Sequence, residues 1–288
     1  MDAKRLRLVT LTAMVLLAFA ANSLLCRAAL RPGLIDPATF SVIRVIAGAI
    51  TLMIVMQVTG RKRLTAAGDW LSAATLVGYV IPFSLAYTQL DAGIGALILF
   101  GCVQATIILW SLRKDTGQRP LKWEWVGLAL ALSGLAVLTL KGQDSPDLFA
   151  AGLMAIAGMS WASYTLRGRG SGDPIAATAG NFLRGAPLAL VCTIVLSLTG
   201  HTPLHVEDKG VWLAVASGSI TSGLGYSLWY YVVPQLRTTI TAMVQLSVPV
   251  IVVLLGVMLL KESLTPKIAV AAAMILGGIA VAVIKPKP

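Results

Sequence analysis

The side chains that could form a binding site in this sequence are aromatic and neutral polar groups inside long apolar stretches. Tyr79, Phe83 and Tyr87 are spaced i, i+4, i+8, so a helix would stack them on one face. Aromatic, amide or hydroxyl groups occur in other stretches as well: Asn22, Gln104, Trp161, Ser163, Tyr164, Asn181, Tyr226, Trp229, Tyr230 and Gln245. Such groups suit a cavity for a small neutral or zwitterionic solute with an apolar side chain, although an aromatic stripe also fits plain helix packing.

The acidic and imidazole groups exclude several kinds of chemistry. All 12 Asp and Glu residues fall at the ends of the apolar stretches or between them, so none is placed to carry a proton through a membrane. The two His residues, His201 and His205, fall in a loop, which leaves an intramembrane hydrolase without a base. No phosphate-binding motif of the form G-x-x-x-x-G-K-[ST] is present. We predict no catalytic residue, no metal site, no cofactor and no enzyme activity.

Two cations do fall inside the apolar stretches. Arg44 and Arg184 each lie one or two turns from the start of a stretch. A guanidinium there could bind an anionic group of a substrate. It could equally reach the interface or bond to neighbouring carbonyls. The sequence leaves both roles open.

Composition places the chain in a membrane. Of its 288 residues, 57% are hydrophobic and 12% are charged, whereas about a quarter of the residues of a soluble domain are charged. The net charge of +11 then reflects basic loops and not nucleic-acid binding. The predicted partners are the lipid bilayer and a small-molecule substrate.

Ten stretches are long enough to cross a bilayer, which takes about 20 mainly apolar residues. Period-two alternation is lacking, so the prediction is an all-α integral membrane protein with ten transmembrane helices. The predicted spans are 8–30, 38–58, 70–90, 92–112, 124–140, 148–168, 177–199, 211–232, 237–259 and 265–284.

The basic residues predict the orientation. Of the 23 Lys and Arg residues, Arg44 and Arg184 lie inside spans. Six face one side of the membrane: Arg27, Arg31, Lys141, Lys209, Lys261 and Lys267. The other fifteen face the opposite side, which should be cytoplasmic. We expect a bacterial-type inner membrane protein with both termini in the cytoplasm.

The sequence also contains an internal repeat. Asp36-Pro37 opens the second span and Asp173-Pro174 the seventh, while Ser84 to Tyr87 aligns with Ser227 to Tyr230. Five spans per half is an odd number, so the second half enters the membrane from the opposite face. We predict two inverted five-helix repeats, residues 1–143 and 144–288, an arrangement common among secondary transporters.

With ten spans in two five-helix halves, the sequence resembles the drug/metabolite transporter superfamily in its EamA-type branch, over nearly the whole chain. The resemblance is carried by Gln245-Leu246-Ser247-Val248-Pro249, by Leu259-Leu260-Lys261-Glu262, and by Thr265 with Gly277-Gly278. In the first half the pattern is degraded, with Ile108 where a Pro is expected and Asp115 near the position of the Glu. Small multidrug relatives carry a Glu in their first helix, where this chain has Asn22, which cannot titrate.

Size and aromatic content are similar to the bacterial aromatic amino-acid exporters. The resemblance therefore implies export of small metabolites, with aromatic or apolar amino acids as the leading class, by alternating access at the midplane. A multidrug or organic-cation exporter is the alternative within transport, and a non-transporting scaffold or receptor is the alternative outside it. The sequence leaves the oligomeric state open.

Overall fold

The computed structural model describes residues 3–60, 67–111, 122–140, 145–168, 172–199, 204–236, 244–245 and 247–284. Within these ranges the chain forms ten helical segments. In the first half they are α1 (Ala3–Leu30), α2 (Pro37–Val58), α3 (Trp70–Ala86), α4 (Ala92–Ser111) and α5 (Lys122–Thr139). In the second half they are α6 (Leu148–Gly168), α7 (Pro174–Leu198), α8 (residues 208–232, in three consecutive pieces), α9 (Ser247–Leu260) and α10 (Pro266–Ile284).

The all-α architecture with ten helices is confirmed, and the boundaries differ by a few residues. Helix α3 ends at Ala86 and not at the predicted residue 90, because the chain turns through Thr88 and Gln89 to reach α4. Helix α7 begins at Pro174, three residues before the predicted start. The predicted start of the ninth span and the predicted repeat boundary lie outside the described residues. Among described residues, α1, α2, α4, α6 and α7 have the length and apolar composition to cross a membrane.

The repeated Asp-Pro pairs form the same cap at the start of α2 and α7. The carboxylate of Asp36 accepts hydrogen bonds from the backbone N–H groups of Ala38 (3.1 Å) and Thr39 (2.9 Å). Asp173 does the same for Ile175 and Ala176. Proline stands at the first helical position in both helices, where its missing N–H costs nothing. The two repeats therefore begin their second helix by one mechanism.

Helix α8 is interrupted in the middle. It runs as an α-helix over Asp208–Ala216, as a π-helix over Ser217–Leu224 and again as an α-helix over Gly225–Val232. Insertions of this kind often occur at functional sites. Gly218 permits the close approach of this π-helix to α2, because a Cβ there would lie 2.2 Å from the carbonyl oxygen of Arg44. The eighth span predicted at 211–232 is therefore helical, and its middle, Ser217–Leu224, is a π-helix.

Helix packing follows the pseudo-two-fold relation of an inverted repeat. Helices that the repeat equates pack against each other: α2 on α7, α4 on α9 and α5 on α10. The repeat also equates α1 with α6 and α3 with α8. These four helices pack crosswise, with α1 on α8 and α3 on α6. Likewise α2 packs on α8 and α3 on α7. The core therefore lies between the two halves, and helices from both halves surround it.

Candidate substrate-binding site

A cluster of aromatic rings fills the space between the two halves. The ring of Trp161 in α6 lies 4.6 Å from that of Tyr226 in α8 and 5.1 Å from that of Tyr79 in α3. Phe19 in α1 meets Trp161 edge-on at 5.3 Å and Trp229 at 5.5 Å. All five side chains are buried. Offset and edge-on pairs of this kind are the favourable arrangements of aromatic rings.

An amide on α1 connects the cluster to the π-helix. Nδ2 of Asn22 donates to the phenol oxygen of Tyr79 at 3.0 Å. Its Oδ1 accepts from the hydroxyls of Ser217 (2.8 Å) and Thr221 (3.0 Å). A buried amide needs such partners. The π-helical segment of α8 supplies these partners, because it directs the hydroxyls of Ser217 and Thr221 toward α1.

Arg44 lies in the same cluster. Its Nε donates to Ser222 at 2.9 Å, and its Nη2 donates to Tyr226 at 2.6 Å and to Tyr79 at 3.3 Å. The guanidinium carbon lies 5.3 Å from the ring centre of Tyr79 and 5.2 Å from that of Phe83. The residue is fully buried, at 0% exposure. We call Asn22, Arg44, Tyr79, Trp161, Ser222 and Tyr226 the central cluster.

Two buried donors of this region have no hydrogen-bond partner among the described residues. They are Nη1 of Arg44 and Nε1 of Trp229. Buried polar groups are normally hydrogen-bonded, and an unpaired one costs free energy. The arrangement can therefore accept a ligand that offers hydrogen-bond acceptors beside an apolar group.

Three of the proposed residues extend the aromatic column toward the end where α3 and α7 begin. The ring of Tyr164 lies 5.7 Å from that of Trp161 and 5.0 Å from that of Tyr230. The hydroxyl of Tyr230 donates to the carbonyl of Tyr164 at 3.0 Å. Asn181 donates to the phenol oxygen of Tyr164 at 3.5 Å and accepts from the backbone N–H of Asp69 at 3.0 Å. These three residues connect the central cluster to that face.

The remaining proposed residues have different surroundings. Phe83 and Tyr87 follow Tyr79 on one face of α3, with ring separations of 5.0 and 4.7 Å, as their spacing predicts. Gln104 and Gln245 are buried, in α4 and just before α9. Ser163 is only half-buried, and its hydroxyl donates to the carbonyl of Met159 in its own helix. Ser163 therefore stays apart from the central cluster.

An ion cluster lies at the face where α1 ends. We call this face the outer face, after the orientation predicted from the sequence. The guanidinium of Arg27 binds Asp91 and lies 3.5 Å from Oε1 of Glu262. It also donates to the carbonyl of Tyr87 at 3.1 Å. We call Arg27, Asp91 and Glu262 the outer ion cluster. It joins the ends of α1 and α9 to the start of α4.

Glu262 has an altered pKa. Burial raises the pKa of its carboxyl above the ordinary value, and the charge of Asp91 adds to the rise. The backbone N–H groups of Ala92 (2.7 Å) and Gly93 (3.3 Å) and the charge of Arg27 oppose it. The Glu in the turn of the family pattern thus caps the start of α4.

A second ion cluster lies at the opposite, inner face. Nη2 of Arg167 at the end of α6 lies 2.7 Å from the carboxylate of Asp69, and its Nε donates to Ser72 at 2.8 Å. We call Asp69, Ser72 and Arg167 the inner ion cluster. Burial raises the pKa of Asp69, but hydrogen bonds from Ser72 and Arg167 outweigh it and hold the pKa below its usual range.

Sequence reasoning found the aromatic groups but missed several partners. It left the role of Arg44 open and did not single out Phe19, Ser217, Thr221 or Ser222. The one available signal was the small and polar segment from Ser217 to Gly223 inside an apolar span. Glu262 was identified as part of the family motif. Its pairing with Arg27 was missed, because the two residues lie far apart in the chain.

Comparison with known proteins gives a family match and several relatives. Residues 148–284 match the model of the EamA-like transporter family. The uncharacterized protein PA1977 of Pseudomonas aeruginosa is 46% identical over 95% of this chain and 93% of its own length. The Bacillus subtilis transporter YoaV is 23% identical, over 85% of this chain and 86% of its own. The inner membrane transporter YedA of Escherichia coli is 26% identical, over 80% and 76%.

A solved structure has the same fold. It superposes with a TM-score of 0.70 at 19% sequence identity and covers 96% of both chains. The family match falls in the half that carries the quoted motif, in agreement with the degraded pattern of the first half. The comparisons name transporters but no substrate.

Proposed function

Because this chain belongs to the EamA-like transporter family, we propose that it is a secondary transporter that exports small metabolites, with aromatic and other apolar amino acids as the substrate class. The chain is a multi-pass membrane protein, and we propose an inner membrane location with both termini inside. One observation carries the proposal. The central cluster is buried between the two repeats, with an ion cluster on either side of it.

This arrangement supports alternating access. Opening the inner ion cluster while the outer one stays closed would expose the central cluster to one side only, and the reverse would expose it to the other. Arg27 and Arg167 end α1 and α6, which the repeat equates, so one rocking motion would strain one cluster as it relaxes the other. On the inner side a crevice lies between α1, α2, α7 and α8, with Arg7, Leu52, Ile175 and Tyr231 among its lining residues, and we propose it as the start of the inner route.

The chemistry of the cluster favours a solute with an apolar ring and a polar head. Rings of Phe19, Trp161 and Tyr226 offer faces and edges for an aromatic side chain. Asn22 and the hydroxyls of α8 offer donors and acceptors. Among the described residues no carboxylate contacts the central cluster, so we propose transport that does not require a proton carried there.

Uptake into proteoliposomes tests the proposal. Purified protein is reconstituted, and initial uptake of radiolabelled tryptophan and phenylalanine is measured with and without an imposed proton gradient. Saturable uptake without the gradient, competed by other aromatic amino acids, is the expected result. Uptake that strictly requires the gradient would contradict uncoupled transport.

Variants test the placement of the site. Trp161→Ala and Tyr79→Ala remove rings at the centre of the cluster, and we expect both to change the KM or the maximal rate. The control is Trp212→Ala, because Trp212 is 71% exposed at the start of α8. Unchanged kinetics in both central variants would mean that the site lies elsewhere.

An organic-cation exporter is the competing transport function. Aromatic faces attract ammonium groups, but the buried guanidinium of Arg44 repels them. Uptake of an organic cation by vesicles that take up no amino acid would favour this alternative. Vesicles that transport neither solute would favour the alternative outside transport, a non-transporting membrane scaffold or receptor.

A further inference from the structure

We propose that Arg44 is the anion-binding residue of the transport site and that its Nη1 takes the carboxylate of the substrate. The inference rests on the proposed function, because it specifies which small solutes the central cluster accepts. It assigns the substrate to carboxylates that carry an apolar or aromatic group.

The first argument is the incomplete coordination of the guanidinium. Nε and Nη2 have hydroxyl partners on Ser222, Tyr226 and Tyr79. These bonds fix the plane of the group. Nη1 is buried and has no hydrogen-bond partner in the described ranges. A fixed guanidinium with one free edge is the geometry that receives a carboxylate oxygen.

The second argument is the missing counter-charge. The described salt bridges use Arg27, Arg31, Arg167 and His205, and all lie at the two faces. In the described part of the chain, no carboxylate lies within salt-bridge distance of Arg44, whose partners are neutral hydroxyls and aromatic rings. A charge buried without a counter-ion at membrane depth is costly and usually functional. A substrate carboxylate would neutralise it.

The third argument is the contrast with Arg184 in the other repeat. Arg184 lies in α7, which the repeat equates with α2. Its Nη1 donates to the carbonyls of Ala67 (2.9 Å) and Gly180 (3.0 Å), and its side chain is only half-buried. Arg184 therefore ties the start of α3 to α7. The two arginines have divergent roles, and Arg184 provides a matched control.

The neighbours of Arg44 define the rest of the ligand. Phe83 and Tyr79 lie against the guanidinium, and Trp161 and Tyr226 continue the aromatic wall. A carboxylate on Nη1 would place the attached apolar group among these rings. Phenylalanine and 3-phenylpropionate fulfil both requirements. Phenylalaninamide and phenethylamine lack the anion and carry a cation that Arg44 repels.

The test compares these four compounds on the wild type and on Arg44→Gln, Arg44→Lys and Arg184→Gln. Competition against radiolabelled phenylalanine uptake gives the apparent affinity of each. In the wild type we expect phenylalanine to bind about tenfold to a hundredfold more tightly than phenylalaninamide, the range of a charge-assisted bond. Arg44→Gln should bring this ratio close to one, Arg44→Lys should keep part of it, and Arg184→Gln should leave it unchanged.

Ligand-induced thermal stabilisation in detergent provides a second readout that needs no transport. Stabilisation of the wild type by phenylalanine and 3-phenylpropionate, but not by phenylalaninamide, supports the inference even if vesicles transport no amino acid. In that case the proposed transport of amino acids is wrong, while the anion-binding role of Arg44 stands. Equal affinity of the wild type for phenylalanine and its amide overturns the inference while transport stands. The wild-type comparison decides this even if Arg44→Gln does not fold.

Discussion

Nη2 of Arg44 in α2 donates a hydrogen bond to the phenol oxygen of Tyr226 in α8, over 2.6 Å, and so joins the first repeat to the second. The same phenol oxygen lies 3.3 Å from that of Tyr79. The contact depends on the π-helix, because Ser222 in that segment holds Nε of the same guanidinium. A charge, two phenols and an irregular helix therefore form one unit at the boundary between the halves.

Removal of one hydroxyl tests this unit. Tyr226→Phe keeps the ring but deletes the nearer of the two phenol oxygens that accept from Nη2 of Arg44. A hydrogen bond to a charged group contributes about 1.5–3 kcal/mol, so we expect uptake efficiency to fall about tenfold or more. The measurement is the initial uptake rate of phenylalanine against concentration. Trp212→Phe is the control, because Trp212 in the same helix is 71% exposed; an equal fall in both variants would contradict a specific role for Tyr226.

The outer ion cluster predicts when the thiol of Cys26 becomes accessible to a reagent. Arg27→Gln leaves the buried carboxylate of Glu262 without its cation, and breaking a buried pair costs about 3–5 kcal/mol. We expect a lower Tm and opening of the outer end of α1. Cys26, which is buried beside Arg27, should then react with a maleimide in detergent, in a background where Cys102 and Cys192 are replaced by Ala.

Arg31→Gln is the matched control for that experiment. Arg31 directly follows the last residue of α1, four residues after Arg27; its side chain is 58% exposed and reaches Asp91 only at 4.0 Å. Exposed pairs contribute about 0–1 kcal/mol, so its loss should leave Cys26 protected and the Tm nearly unchanged. Protection of Cys26 in both variants would show that Arg27 does not hold the outer face closed.

Asp69 predicts a pH dependence of stability. Its pKa is held below 3.8, its ordinary value, so the ionised form stabilises the folded state. This contribution is complete above the ordinary pKa and is lost as the pH falls through the lowered one. In thermal melts between about pH 5 and about pH 2, the gap in Tm between the wild type and Asp69→Asn should shrink toward zero. A gap that stays constant across this range would contradict the assignment.

The close approach of α2 and α8 predicts the cost of a methyl group. A Cβ at Gly218 would lie 2.2 Å from the carbonyl oxygen of Arg44, a backbone atom that cannot turn away. Gly218→Ala should therefore lower the Tm and reduce phenylalanine uptake by moving Ser222 from Arg44. At Gly152 in α6 a Cβ meets nothing within 4 Å. Gly152→Ala should be neutral or stabilising by up to about 1 kcal/mol, since alanine favours helix. An equal change in Tm for both variants would contradict a close contact at Gly218.

The sequence by itself determined the membrane class, the ten helices and the repeat. These follow from local properties: a span needs a certain length of apolar residues, and a helix start needs a cap such as Asp36-Pro37 or Asp173-Pro174. The aromatic face of α3 is equally local, because residues four apart share a helix face. For this reason spacing alone is enough to group Tyr79, Phe83 and Tyr87.

Only the tertiary structure decided what surrounds these groups. Arg44 and Ser222 are 178 residues apart, and Arg27 and Glu262 meet across the whole chain. No periodicity connects such positions, since their contact depends on how the two repeats pack. The π-helix was also beyond the sequence, because its hydroxyls are satisfied by Asn22 in another helix. Packing between distant helices thus leaves one edge of Arg44 free while Arg184 is bound to carbonyl groups.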